Sequence, residues 1–124
     1  MTFLDSNIVI WLAGGLAERL TPGAIAAIER EPPLISPVVS LELTYLWEVG
    51  RLPRPPAEII DQLRRDIGLR VAAESTVEVV AAAALLTWTR DPFDRLICGH
   101  AIAVGGTLVT ADRMIRANFP AARG

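Results

Sequence analysis

Four carboxylates stand out by where they fall in the sequence. Asp5 directly follows the apolar stretch "TFL", and Asp112 lies just after "TLVT". Both stretches read as short strands, so both acids sit at strand carboxyl ends, where open α/β sheets bind their ligands. Each is also a favoured helix N-cap, and capping alone accounts for either one taken singly. Glu42 is harder to explain by structure. In its helix Ser40, Thr44 and Glu48 recur at i, i+4 and i+8 and form the polar stripe. Glu42 projects about 200° away from that stripe at ~3.6 residues per turn, among Val38, Tyr45 and Leu46. A carboxylate there is costly unless it is paired with a buried Arg or bound to a cation. Asp94 lies in "DPFDRLICGHAIAV", with Asp91 as N-cap, Pro92 at the first helical position and Asp94 as a capping-box-like acid. It shares its stripe with Ile97, Cys98 and Ala101 and so points inward, where the helix N-terminus favours its ionised form.

Gathered in one place, these acids repel one another unless a divalent cation sits among them. A set of hard oxygen ligands suits Mg²⁺ or Mn²⁺. The chain holds one Cys and one His, so no zinc-type cluster is available. His100 accordingly reads as a helix-surface or core residue and not as a ligand. Ser6 and Asn7, next to Asp5, are placed to orient it by hydrogen bonds. Arg95, Arg113 and Arg116 flank the acids in sequence and could hold phosphate groups; solvated surface arginines are the plainer reading.

The elements that must position these residues follow from the apolar pattern. A helix is expected over residues 8–13, ended by the glycines at 14 and 15. Thr21 caps a second, with Pro22 at its first position, running to Arg30. "PPLISP" reads as a buried strand over residues 34–36. Helices follow over 38–49 and 58–66, then a strand in "GLRVA". Residues 76–89 and 91–104 read as two more helices, "TLVT" as a fourth strand, and Asp112 opens a last helix that frays near Pro120. Short, uniformly apolar strands alternating with helices predict a parallel sheet covered on both faces. We therefore expect one α/β domain over residues 1–124, a three-layer α/β/α arrangement with a short parallel sheet of four or five strands.

Composition agrees. The chain is 52% hydrophobic, with a net charge of −2. All 12 basic residues are Arg, which contacts phosphate bidentately as Lys does not; compositional bias from a GC-rich genome is the plainer explanation. The charge balance does not exclude a nucleic-acid partner. A single Cys forbids an intrachain disulfide and suits a reducing compartment. The N-terminus "MTFLDSN" lacks the basic region of a signal peptide. The longest apolar run, "VVAAAALL", falls far short of the roughly 20 residues that span a bilayer. A cytoplasmic protein without membrane attachment is expected.

"FLDSNIVIWL", "ISPVVSLELTYL", "RDPFDRLICGHA" and "LVTADR", in that order, resemble the PIN-domain nucleases, and within them the VapC-type toxins of bacterial toxin–antitoxin pairs. "DPFDRLI" is the most specific piece, and the likeness covers nearly the whole chain. By resemblance Asp5, Glu42, Asp94 and Asp112 match the acids that gather round Mg²⁺ or Mn²⁺ and cut RNA, while Asn7, Asp91 and Thr110 match polar positions around that site. The resemblance also implies an RNA substrate, a cognate antitoxin and a homodimer. The sequence departs from the pattern at Cys98 and His100, at Thr89, where many relatives carry His, and in "NFPAARG", which lacks the further C-terminal strand that many relatives add. A late Lys, needed by a receiver domain, is missing, and Asn7 stands where a haloacid-dehalogenase-type phosphatase needs a second Asp. A PIN nuclease of RNA maturation or decay, and a degenerate PIN domain that only binds RNA or protein, are the alternatives within the family.

Overall fold

The computed structural model describes all of residues 1–124. β1 (Thr2–Leu4) runs into α1 (Ser6–Ala13). A 3-10 turn (Ala17–Arg19) and α2 (Pro22–Arg30) lead to β2 (Leu34–Ile35). α3 (Pro37–Glu48) and α4 (Pro56–Ile67) precede β3 (Arg70–Val71). α5 (Thr76–Ala84) and α6 (Pro92–Ala103) precede β4 (Thr107–Val109), and α7 (Arg113–Asn118) precedes β5 (Ala122–Arg123).

The five strands form one parallel sheet in the order β3-β2-β1-β4-β5. The chain builds outward from β1 through β2 to β3, then returns to the other side of β1 for β4 and β5. Strand order therefore reverses at β1, and the crevice between the carboxyl ends of β1 and β4 is the topological switch point. Thr2, Phe3 and Leu4 lie level with Thr107, Leu108 and Val109, which brings the residues after both strands side by side. The backbone N–H of Asp5 extends this ladder to Val109 O at 2.9 Å.

The strands are short and apolar because the sheet is the middle layer. Phe3, Leu4, Ile35, Leu108 and Val109 are completely buried, and they join the core with Ile8, Val9, Leu43, Leu63 and Ile97 from the helices. α1 packs on α3 and α4, α2 lies against β4 and β5, and α5 and α6 form the closest helix pair. No helix is long and apolar enough to cross a membrane.

The elements fall where the sequence places them, with three differences. α1 starts at Ser6, because Asp5 caps it. α5 stops at Ala84 instead of reaching residue 89. Its last carbonyls, of Ala83 and Ala84, are taken by the Arg95 guanidinium at 3.1 and 2.9 Å, which replaces the next helical turn. The third difference is β5, expected to be absent. Its two residues carry no strand signal of their own, and the edge of β4 recruits them: Leu108 N donates to Ala121 O and Thr110 N to Arg123 O.

α5 and α6 approach closely because Gly99 has no side chain. A Cβ there would stand 2.8 Å from Val79 O and 2.9 Å from the Ala83 Cβ, both on α5. Gly99→Ala should therefore cost about 1–3 kcal/mol, as overpacking does, read as a lowered denaturation midpoint at an unchanged m-value.

Candidate active site

The switch-point crevice holds the predicted acids. Asp5 follows β1 and is 6% exposed, although it is a carboxylate. Its Oδ1 accepts the backbone N–H of Ser6 at 2.8 Å, and its Oδ2 accepts the Thr110 hydroxyl at 2.6 Å. Thr110, fully buried just after β4, also accepts the backbone N–H of Asp112 at 3.0 Å. One hydroxyl thus fixes the Asp5 carboxylate and the chain direction into Asp112. Asp112 caps α7 by accepting the N–H of Ile115 at 2.9 Å through Oδ1.

Glu42 is half-buried on α3, facing inward as its helical phase requires. The Ser6 hydroxyl donates to its Oε1, so Ser6 reaches two acids at once, one through its backbone and one through its side chain. Asp91 caps α6, its Oδ1 accepting from Phe93 N at 2.8 Å and Asp94 N at 3.2 Å. Its work is on the helix terminus, and that positions Asp94 on the inward side of the first turn.

Electrostatics mark these residues as one group. The Asp94 carboxyl is pushed up to about 7, first by burial and then by the charges of Asp91, Asp5, Asp112 and Glu42. Burial also raises Asp5, opposed by the hydrogen bonds from Thr110 and Ser6. Glu42 is raised by burial, against the Ser6 hydrogen bond, and by Asp5 and Asp91. The thiol of Cys98, buried beside them, is pushed up to about 12 by burial and by Asp5, Asp94 and Asp112, so it stays neutral. No cation of the protein answers these charges. The ion pairs lie elsewhere: the amino terminus with Glu31, Arg64 with Asp61, and the His100–Glu74 contact.

The donor set is all oxygen and anionic, and the caps at Asp91 and Asp112 each use only one carboxylate oxygen. That chemistry fits a hard divalent cation. No three acidic, imidazole or thiol groups stand in ligating position around a single point, so side-chain adjustment would accompany binding.

Several expectations for the surroundings need correction. Asn7 is exposed and makes no hydrogen bond to Asp5; Thr110 and the Ser6 backbone orient that acid instead. Arg95 does not face outward for phosphate, because its guanidinium is spent on the end of α5. Arg113 and Arg116 are exposed on α7, and the stem of Arg116 lies against Gly124. His100 is a core residue as expected, but its Nδ1 lies 3.0 Å from Ser36 Oγ in a buried polar contact. The Ser6–Glu42 link was not anticipated, and only the spacing of Ser6 beside Asp5 hinted at it.

A sheet with its switch point at β1, edged by acids that no protein cation pairs, defines a class. The family profile described as PIN domain matches residues 2–118, and the chain belongs to that family, in its VapC branch. It is 34% identical over 118 residues to Ribonuclease VapC22 of Mycobacterium tuberculosis, a match covering 93% of this chain and 89% of that one. The crystal structure of VapBC2 from Rickettsia felis bound to a promoter DNA fragment superposes with a TM-score of 0.70 at 18% identity, over 98% of this chain and 96% of the other. The DNA-bound VapBC structure from Salmonella typhimurium gives a TM-score of 0.60 at 20% identity, over 98% and 94%.

Two outcomes follow. Thr110→Val keeps the shape but strips Asp5 and the Asp112 amide of their partner. It should cost about 1–3 kcal/mol where Asp5 is ionised, and less as the pH falls and the carboxyl, raised by burial, takes up its proton; urea melts across that pH range check it. Asp94→Asn should act in the opposite direction. An unfolded Asp titrates near 3.9. A folded value of about 7 means that the native state holds an extra proton between these limits, so stability falls as pH rises through that window and stays low above it. In EDTA the Asn variant should be more stable than the parent at about pH 8, by on the order of 1 kcal/mol after discounting for partial exposure. The two melting curves should converge near pH 4.

Proposed function

We propose that the protein is a divalent-metal-dependent endoribonuclease, the toxin of a toxin–antitoxin pair, with Asp5, Glu42, Asp94 and Asp112 as its catalytic and metal-holding acids. The carrying observation is the carboxylate cluster at the switch-point edge, which no protein cation neutralises. The ribonuclease name of the relative from Mycobacterium tuberculosis supports the substrate class, and the VapBC complexes among the structural neighbours support an antitoxin partner.

Asp5, Glu42, Asp94 and Asp112 would hold Mg²⁺ or Mn²⁺, which would supply Lewis acidity toward water and the phosphate. The chain's own residues prepare for it. Thr110 and the Ser6 amide fix Asp5 so that it does not rotate away, and the Ser6 hydroxyl fixes Glu42. Asp94 is pushed up to about 7 by burial and by four neighbouring acids, so a cation among them would favour its ionised form. Asp112 holds α7, and with it Arg113, beside the crevice, and Arg113 and Arg116 are the cations available to an RNA phosphate. Asp91 supports Asp94 through the helix cap.

The purified protein should cut single-stranded RNA with Mg²⁺ or Mn²⁺ and stop in EDTA. Expressed without its antitoxin, it should arrest growth, and Asp94→Asn should abolish cleavage and arrest together while remaining folded. Undiminished cleavage in EDTA would sink the metal mechanism, and a fully active Asp94→Asn protein would remove that residue from the site.

A further inference from the structure

A cavity of about 190 Å³ opens at the carboxyl ends of β2 and β3, lined by Ser36, Val38, Glu74, Val80, Leu96 and His100 among others. His100 is 3% exposed, and its Nε2 has no hydrogen-bond partner. The neighbours favour one tautomer of His100, the one with the ring hydrogen on Nε2. In it Ser36 Oγ, which accepts the Val38 amide at 3.2 Å, donates its hydrogen to His100 Nδ1 at 3.0 Å, and Nε2–H faces the Glu74 carboxylate. The other tautomer would leave the Ser36 hydrogen without an acceptor and turn a nitrogen lone pair toward a carboxylate. Nε2–H faces Glu74 Oε1 at 3.7 Å, too far for a hydrogen bond. Burial lowers the pKa of His100, against the pull of Glu74, which favours a neutral ring. The cavity thus carries a fixed donor and a neighbouring acceptor that do not satisfy each other. The Glu74 side chain is 28% exposed and can swing to admit a third group.

This cavity shares its elements with the acid cluster. Ser36 follows β2 as Asp5 follows the adjacent, parallel β1, and His100 lies on α6 with Asp94. Val38, in the cavity wall, precedes Glu42 by one turn of α3.

We propose that the cavity is a base subsite that receives one unstacked nucleobase beside the cut phosphate and selects cytosine. The inference rests on the ribonuclease reading above. Sequence-specific RNA recognition works on splayed-out bases through their hydrogen-bonding edges. Cytosine offers an amine at N4, which donates to the Glu74 carboxylate, next to an acceptor at N3, which takes the Nε2–H of His100. Val38, Val80 and Leu96 supply apolar contact for the ring faces. The volume equals roughly six water molecules' share of liquid, which suits a single ring. Uracil reverses the pattern, with a donor at N3 and an acceptor at O4.

His100 is the only histidine, so its ring resonances report on the cavity without ambiguity. Titrating the full-length protein with cytidine should shift the Nε2 signals. Uridine should bind about tenfold more weakly or worse, and Glu74→Ala should erase that difference. A ring unmoved by millimolar cytidine, or moved equally by both nucleosides, overturns the assignment, as does a cytidine preference that survives in Glu74→Ala. In a mixed-sequence RNA digest the parent should favour cytosine at one position flanking the cut, and Glu74→Ala should lose that bias; an unaltered cleavage pattern counts against the subsite. Failure of the parent to cut any RNA counts against the ribonuclease reading alone, because the nucleoside titration needs no turnover.

Discussion

The site depends on the two hydrogen bonds that hold the Asp5 carboxylate. One comes from the Thr110 hydroxyl beyond β4, the other from the Ser6 amide that starts α1. Burial alone would drive this acid to its neutral form, and these donors oppose that drive. Because Thr110 also receives the Asp112 amide, the same hydroxyl sets where the second strand-end acid begins. Because Ser6 also donates to Glu42, the same residue carries the constraint across to α3. Three acids on three elements are thereby positioned through two small polar side chains.

Helix capping and the acid cluster use the same residues. Asp5, Asp91 and Asp112 each cap a helix, and Ser36 caps α3, so several helix N-termini open toward the carboxyl edge of the sheet. Their exposed amides and positive dipole ends partly offset the crowded negative charge. Asp91 and Asp112 cap through one oxygen each and keep the other without a hydrogen bond, whereas both oxygens of Asp5 are taken, by Ser6 and Thr110. The plain structural reading of these acids as caps was therefore correct.

Much of this was legible in the sequence. Short apolar strands between helices gave the parallel sheet, and helix phase alone turned Glu42 and Asp94 inward. What escaped was long-range or weakly encoded. Nothing local announces that Arg95 will end α5, since the carbonyls it binds lie 11 and 12 residues earlier. β5 has no β-forming residues and exists because β4 offers an unpaired edge. The Ser36–His100 contact joins residues 64 apart, so periodicity could place His100 in the core without revealing its partner. Asn7 was misjudged because adjacency to Asp5 was read as contact, whereas successive residues entering a helix point in different directions.

The link from Asp5 to Thr110 spans 105 residues. Thr110 is steadied in turn by Arg123, whose carbonyl takes its backbone N–H. The carboxylate made first is thus held by a hydroxyl made much later, so Asp5 is secured only in a chain whose β4 already lies beside β1.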